Sequence, residues 1–151
     1  MKSVEQQIEQ LKHTAHTLIH LGDETGFVYA DDTGRLNREI YEQIATLYPQ
    51  TGKDTEQEAA ICSALLLGYS TIMYGNEEDE QQKQEILNRS LKVLGKLPPS
   101  LLKCQLLTYC YGEVYEEELA QEAHDIISDW KNRELSEEEQ EIIKVLEIIE
   151  S

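Results

Sequence analysis

Positive charge is what this chain has least of: 13 Lys and Arg stand against 30 Asp and Glu in 151 residues, a formal net charge of −17 at pH 7. Sequence-independent binding of DNA or RNA relies on Lys and Arg displacing counterions from phosphates, so the balance argues against a nucleic-acid partner. It argues equally against docking on an anionic membrane. Cysteine is scarce as well. Cys62, Cys104 and Cys110 lie in apolar segments without CxxC or zinc-ribbon spacing, which reads as small buried hydrophobes in a reducing compartment. No apolar run approaches the ~20 residues needed to cross a bilayer; the longest, Ile61 to Tyr69, is broken by Ser63 and Gly68. Ser3 to Gln10 is polar, which leaves no secretory apolar region there. The expectation is a cytoplasmic protein with no membrane segment.

Motifs of catalysis are missing too. There is no P-loop, GxGxxG, nucleophile elbow or HExxH. Cys104, Cys110 and His124 offer a nucleophile and a base by residue type only, and Cys within a Leu-rich helix is usually inert. The chain is therefore expected not to be an enzyme and to need no cofactor.

What is present is helical periodicity, nearly from end to end. Val4, Ile8, Leu11, Ala15 and Leu18 mark one face of a first helix, opened by the capping box Ser3/Gln6 and stopped near Gly22. Gly22 to Gly34 reads as a loop pinned to the core by Phe27, Val28 and Tyr29. Leu36, Ile40, Ile44 and Leu47 give a second helix, closed by Pro49. Thr55 with Glu58 opens a third, to about Tyr74, apolar on nearly every side and hence central. Gly75 and Asn76 end it. A fourth helix from about Gln81 to Leu94 turns Ile86, Leu87, Leu91 and Leu94 inward. Ser100 caps a short helix ended by Gly112. The next carries Tyr115, Leu119, Ala123, Ile126, Ile127 and Trp130, with Trp130 placed in the core. Ser136 with Glu139 opens the last, with Ile142, Val145, Leu146 and Ile149 on one side. These readings predict one all-α domain over residues 1–151, with about seven helices around the apolar helix at 55–74.

Two clusters carry possible chemistry. His13, His16 and His20 lie with Glu9 within about 60° of one another on the first helix. They face away from its apolar positions, so an ordinary polar face is expected, with a metal- or ligand-dependent sensor as the alternative. The stronger cluster is Tyr109, Tyr111, Glu113, Tyr115, Glu116, Glu117 and Glu118, continued by Glu122, Asp125 and Asp129. Tyrosine is enriched in binding patches, and carboxylates beside it suit Lys- and Arg-rich partners. Residues 101–151 hold 14 of the acidic side chains against 4 basic. Glu137, Glu138, Glu139 and Glu141 repeat the acidic pattern one helix later, where plain surface is the expectation.

Several separate strings resemble the UpxZ family: GRLNREIYEQIATLYP at 34–49, EQEAAICSALLLGYSTIMYGN at 56–76, LPPSLLKCQLLTYCYGEVYEEELAQEAHDIISDW at 97–130 and RELSEEEQEII at 133–143. The resemblance implies a regulator encoded at the head of a capsular polysaccharide operon in intestinal anaerobic bacteria. Such proteins act beside UpxY proteins, which are NusG-like transcription antiterminators. They antagonise the UpxY-type factors of other capsule loci while sparing their own, so that one capsule dominates. The expected partner is thus a NusG-like antiterminator of a non-cognate locus, met by the Tyr–Glu cluster; the rival is RNA polymerase or its elongation complex.

Overall fold

A computed structural model describes residues 2–73 and 75–151. The described residues form seven α-helices and no strand: α1 (Val4–Ile19), α2 (Ala30–Leu47), α3 (Thr55–Thr71), α4 (Glu77–Leu94), α5 (Leu101–Val114), α6 (Glu117–Ser128) and α7 (Glu137–Glu150). The chain is a single all-α domain. None of these helices is long and apolar enough to cross a membrane.

α3 is central because its apolar residues leave it no polar side: Ile61, Cys62, Ala64, Leu65 and Leu66 are all buried, and the helix packs on α1, α2, α4 and α5. Each such Leu or Ile contributes about 1.5–3 kcal/mol by leaving water. Gly68 permits the tightest crossing, since a Cβ there would meet Ile44 of α2 at 3.1 Å and Leu11 of α1 at 3.2 Å. α5 is a second hub. It buries Cys104, Leu106, Leu107, Thr108, Cys110 and Tyr111 and carries α6 and α7 on its outer sides, besides packing on α3 and α4. Burial pushes the thiols of Cys62 and Cys104 up to about 11 and that of Cys110 to about 12, which leaves them inert.

The capping boxes at Ser3/Gln6 and Ser136/Glu139 form as read, and the apolar faces of α1, α2 and α7 turn inward. Elsewhere the boundaries move. α2 starts at Ala30, so the preceding loop is shorter, and Phe27, Val28 and Tyr29 stand exposed instead of pinning it. The cap of α3 is Asp54, whose carboxylate accepts from the Gln57 amide at 2.8 Å, not Thr55. Glu58 is engaged elsewhere: it accepts from the Gly52 amide and from Arg89. α3 ends at Thr71; its expected end at Tyr74 lies outside the described residues. Asn76 caps α4 through a box with Asp79, so Glu77–Glu80 form its first turn, where the helix dipole favours negative charge. On α4, Leu91 faces solvent while Ser90 is buried, its hydroxyl donating to the Ile86 carbonyl at 2.7 Å.

Gly112 does not stop α5. It lies within the helix, where a Cβ would come to 3.1 Å from Ile149 of α7. The helix runs on to Val114, and Tyr115 falls in the turn before α6. Trp130 is buried, as its spacing with Ile126 and Ile127 predicts.

Candidate protein-binding face

α6 buries Ala120, Ala123 and Ile126 against α5, and turns its other side to water. Its approach is made by Tyr115, which holds a left-handed conformation (φ 55°, ψ 33°) with its N–H donating to the Tyr111 carbonyl at 2.9 Å. For a residue with a Cβ this conformation costs about 1–2 kcal/mol. The turn sends the Tyr115 ring outward, 65% exposed, while Tyr111, one helical turn earlier, is 6% exposed. The two rings meet edge to face at 5.9 Å, and the Tyr111 hydroxyl donates to Glu117 at 3.3 Å.

The candidate residues part into two groups. Tyr115, Glu116, Glu117, Glu118, Asp125 and Asp129 are exposed. Among the described residues no Lys, Arg or His pairs with any of these five carboxylates within 4.0 Å. Glu116–Glu118 follow Tyr115 directly, and Asp125 takes a hydrogen bond from Gln121 at 3.0 Å. The rest leave the face. Tyr111 belongs to the core, and Tyr109 packs beneath α1 and α7, where burial and the nearby Glu141 and Glu138 raise its phenol pKa. Glu113 turns to Lys83 of α4 at 2.7 Å, and Glu122 to Lys103 of α5 at 2.5 Å. The corrected face is an exposed tyrosine beside five uncompensated carboxylates.

The histidine stripe divides. His13 lines a polar cleft between α1 and α2 with Gln10, Glu42 and Gln43, while His16 and His20 keep much of their exposure but are met by Glu141 of α7. Glu139, expected as plain surface, is buried against Arg133.

A model of the UpxZ family of transcription anti-terminator antagonists matches residues 8–112. The chain belongs to the UpxZ family. A transcription anti-terminator antagonist UpxZ from Bacteroides uniformis ATCC 8492, known from a 1.68 Å crystal structure, superposes with a TM-score of 0.89 at 38% identity, over 99% of this chain and 93% of that one. No curated protein matches. The family is one of transcription regulators. Within this UpxZ chain the acidic face at 115–129 follows the segment that the family model matches and lies in the part shared with the B. uniformis fold.

Sequence reading missed a second exposed region of this UpxZ protein. Ile19, Phe27, Val28, Tyr29 and Met73 all show large apolar surface, with Phe27 and Tyr29 edge to face at 5.5 Å. Ile19, Val28 and Met73 border a cleft of about 380 Å³ between the end of α1 and the end of α3. Clustered exposed apolar side chains of this kind mark interaction surfaces. The signal was present as three large side chains in a Gly- and Asp-rich loop, but their type alone does not say whether they face in or out.

Proposed function

We propose that this UpxZ protein antagonises NusG-like antiterminators of other capsular polysaccharide loci by binding them directly in the cytoplasm, without catalysis, through the acidic face around Tyr115. An antiterminator has to touch RNA polymerase and nascent RNA, so it exposes basic and apolar surface. An aromatic ring beside uncompensated carboxylates complements both and would keep that surface from its normal partners. The observation that supports this most is Tyr115 itself: a bulky side chain kept in a left-handed turn, where glycine would be less strained, and held out into solvent. Local strain of this sort concentrates at functional positions. Opposite charge would speed encounter, and like charges placed against the cognate factor would spare it.

The test is calorimetric titration of a panel of NusG-like capsule antiterminators, and separately of RNA polymerase, at low and moderate salt. Binding to some antiterminators and not others, weakening with salt, is expected. Reversing Glu116, Glu117 and Glu118 to Lys should weaken that binding at least about tenfold while leaving the helix content intact. Unchanged affinity would overturn the acidic-face model, and binding to polymerase alone would move the target.

A further inference from the structure

We propose that this protein binds one divalent ion of the zinc class between α1 and α7, through the imidazoles of His16 and His20 and the carboxylate of Glu141. His16 and His20 are four residues apart and therefore share one face at the end of α1. Glu141, in the second turn of α7, comes to that face. Its Oε1 lies 3.3 Å from His16 Nε2 and 3.8 Å from His20 Nε2, and the three ligand atoms all lie within 4.8 Å of one another. Ligands about 2.0–2.1 Å from a tetrahedral zinc are separated by roughly 3.4 Å. The cluster is thus already near the dimensions of a loaded site, and small side-chain rotations would close the rest.

The orientation of His20 points the same way. Its Nδ1 lies 2.9 Å from the carboxylate of Asp23; with Nδ1–H donating to Asp23, Nε2, on the side of Glu141, is free to ligate a cation. A carboxylate behind a ligating imidazole is how metal-binding histidines are ordinarily held. At 3.3 and 3.8 Å the imidazole–Glu141 contacts are longer than good hydrogen bonds, and among the described residues no Lys or Arg pairs with Glu141. The nearby Lys12 is 3.6 Å from Glu138 instead. Two imidazoles and one carboxylate favour zinc, cobalt or nickel over magnesium or calcium, which prefer all-oxygen shells. The three side chains are partly exposed, so an ion can enter and retain a water as its fourth ligand.

The ion would have a mechanical effect. α7 is seated on α5 through Ile142, Leu146 and the Ile149–Gly112 contact. Between α7 and the end of α1 lies an apolar cavity of about 310 Å³ bordered by Ile19, Leu66, Tyr109, Val145 and Ile149. A metal bridge from Glu141 to His16 and His20 would tie the first helix to the last across this gap.

The experiment uses untagged full-length protein, stripped with a chelator and titrated with Zn²⁺ and Co²⁺ by calorimetry, with Co²⁺ also followed by its visible absorption. Saturation at one equivalent, tetrahedral cobalt bands and a thermal midpoint that rises with Zn²⁺ but not Mg²⁺ are expected. Glu141→Gln and His20→Ala should abolish the cobalt bands. Asp23→Asn should weaken binding about 10- to 100-fold, and His13→Ala should change nothing. The proposal is overturned by the absence of stoichiometric binding to the wild-type protein, by binding that survives both Glu141→Gln and His20→Ala, or by equal loss in His13→Ala.

Discussion

Carboxylates serve opposite ends in two regions of this protein. Where α2, α3 and α4 meet, Glu58 is partly buried and takes two hydrogen bonds from Arg89, both at 2.9 Å, plus one from the Gly52 amide. The same guanidinium donates to the Gln50 carbonyl at 2.9 Å and the Tyr48 carbonyl at 3.4 Å. Along the turn into α6, Glu116, Glu117 and Glu118 stand in water, and among the described residues no Lys, Arg or His pairs with them within 4.0 Å. The first arrangement holds a loop and two helices in place. The second contributes little to folding, since exposed charges are screened and weakly coupled, and it concentrates a negative field where a partner can meet it. Net charge therefore says little until each carboxylate has been assigned to one arrangement or the other.

The sharpest break in that comparison is Arg89→Ala. It leaves Glu58 partly buried without its cation and two loop carbonyls without their donor. A loss of about 3 kcal/mol is expected, read as a lower midpoint in urea unfolding. Glu118→Ala should move the same midpoint by no more than about 0.5 kcal/mol. Similar losses for the two would erase the distinction between the regions.

A smaller effect, visible as a function of pH, is expected at Glu139. Hydrogen bonds from the Arg133 guanidinium at 2.6 and 2.9 Å and from the Ser136 amide at 2.9 Å hold its carboxyl at about 2, far below the ordinary value of 4.5. Because the folded value is depressed, its stabilisation is present in full above the unfolded value and is lost as pH falls from about 4.5 toward 2. Glu139→Gln should accordingly be less stable than the wild type at neutral pH, with the gap narrowing across that window. Unfolding midpoints of both proteins measured from neutral to acid pH would show it. A gap independent of pH would mean that Glu139 acts through packing instead of charge.

These residues also show which parts of the fold were legible in the sequence. Burial of an amphipathic helix is written directly into its spacing, so Leu36, Ile40, Ile44 and Leu47 were placed correctly from the sequence alone. So were Trp130 and the two Ser-led capping boxes. Where several polar residues can cap, local pattern is ambiguous. Thr55/Glu58 had the right letters for a box, but Asp54 took the cap while Glu58 was drawn to an arginine 31 residues away. The His16–His20–Glu141 cluster joins the first helix to the last, and no local signature announces so distant a meeting. The candidate face was legible as composition but not as geometry. Tyr109, Tyr111 and Tyr115 are chemically alike, yet the first two pack inside and only the third emerges. An uninterrupted helix would have set Tyr111 and Tyr115 on one face; the left-handed turn at a non-glycine residue, which nothing in the sequence signals, leaves the rings in edge contact but buries one and exposes the other.

That turn gives a small expected change in stability and the clearest separation of folding from function. Tyr115→Gly removes the left-handed strain, worth about 1–2 kcal/mol, but raises the entropy of the unfolded chain by about 0.5–1 kcal/mol. It also removes the edge-to-face contact with Tyr111, worth about 0.5 kcal/mol at so exposed a position. The terms nearly cancel, so the unfolding midpoint should move by less than about 1 kcal/mol in either direction. Tyr115→Ala keeps the strain and loses the ring, and should be the less stable of the two variants. Both should lose affinity for the antiterminators that the wild type binds, Gly and Ala alike, since each removes the aromatic ring from the centre of the acidic turn. Reduced affinity with near-native stability in Tyr115→Gly would mark the ring as a contact. If both variants bound as the wild type does, the exposed tyrosine would be idle, and the apolar residues Phe27, Val28 and Tyr29 would become the next surface to substitute.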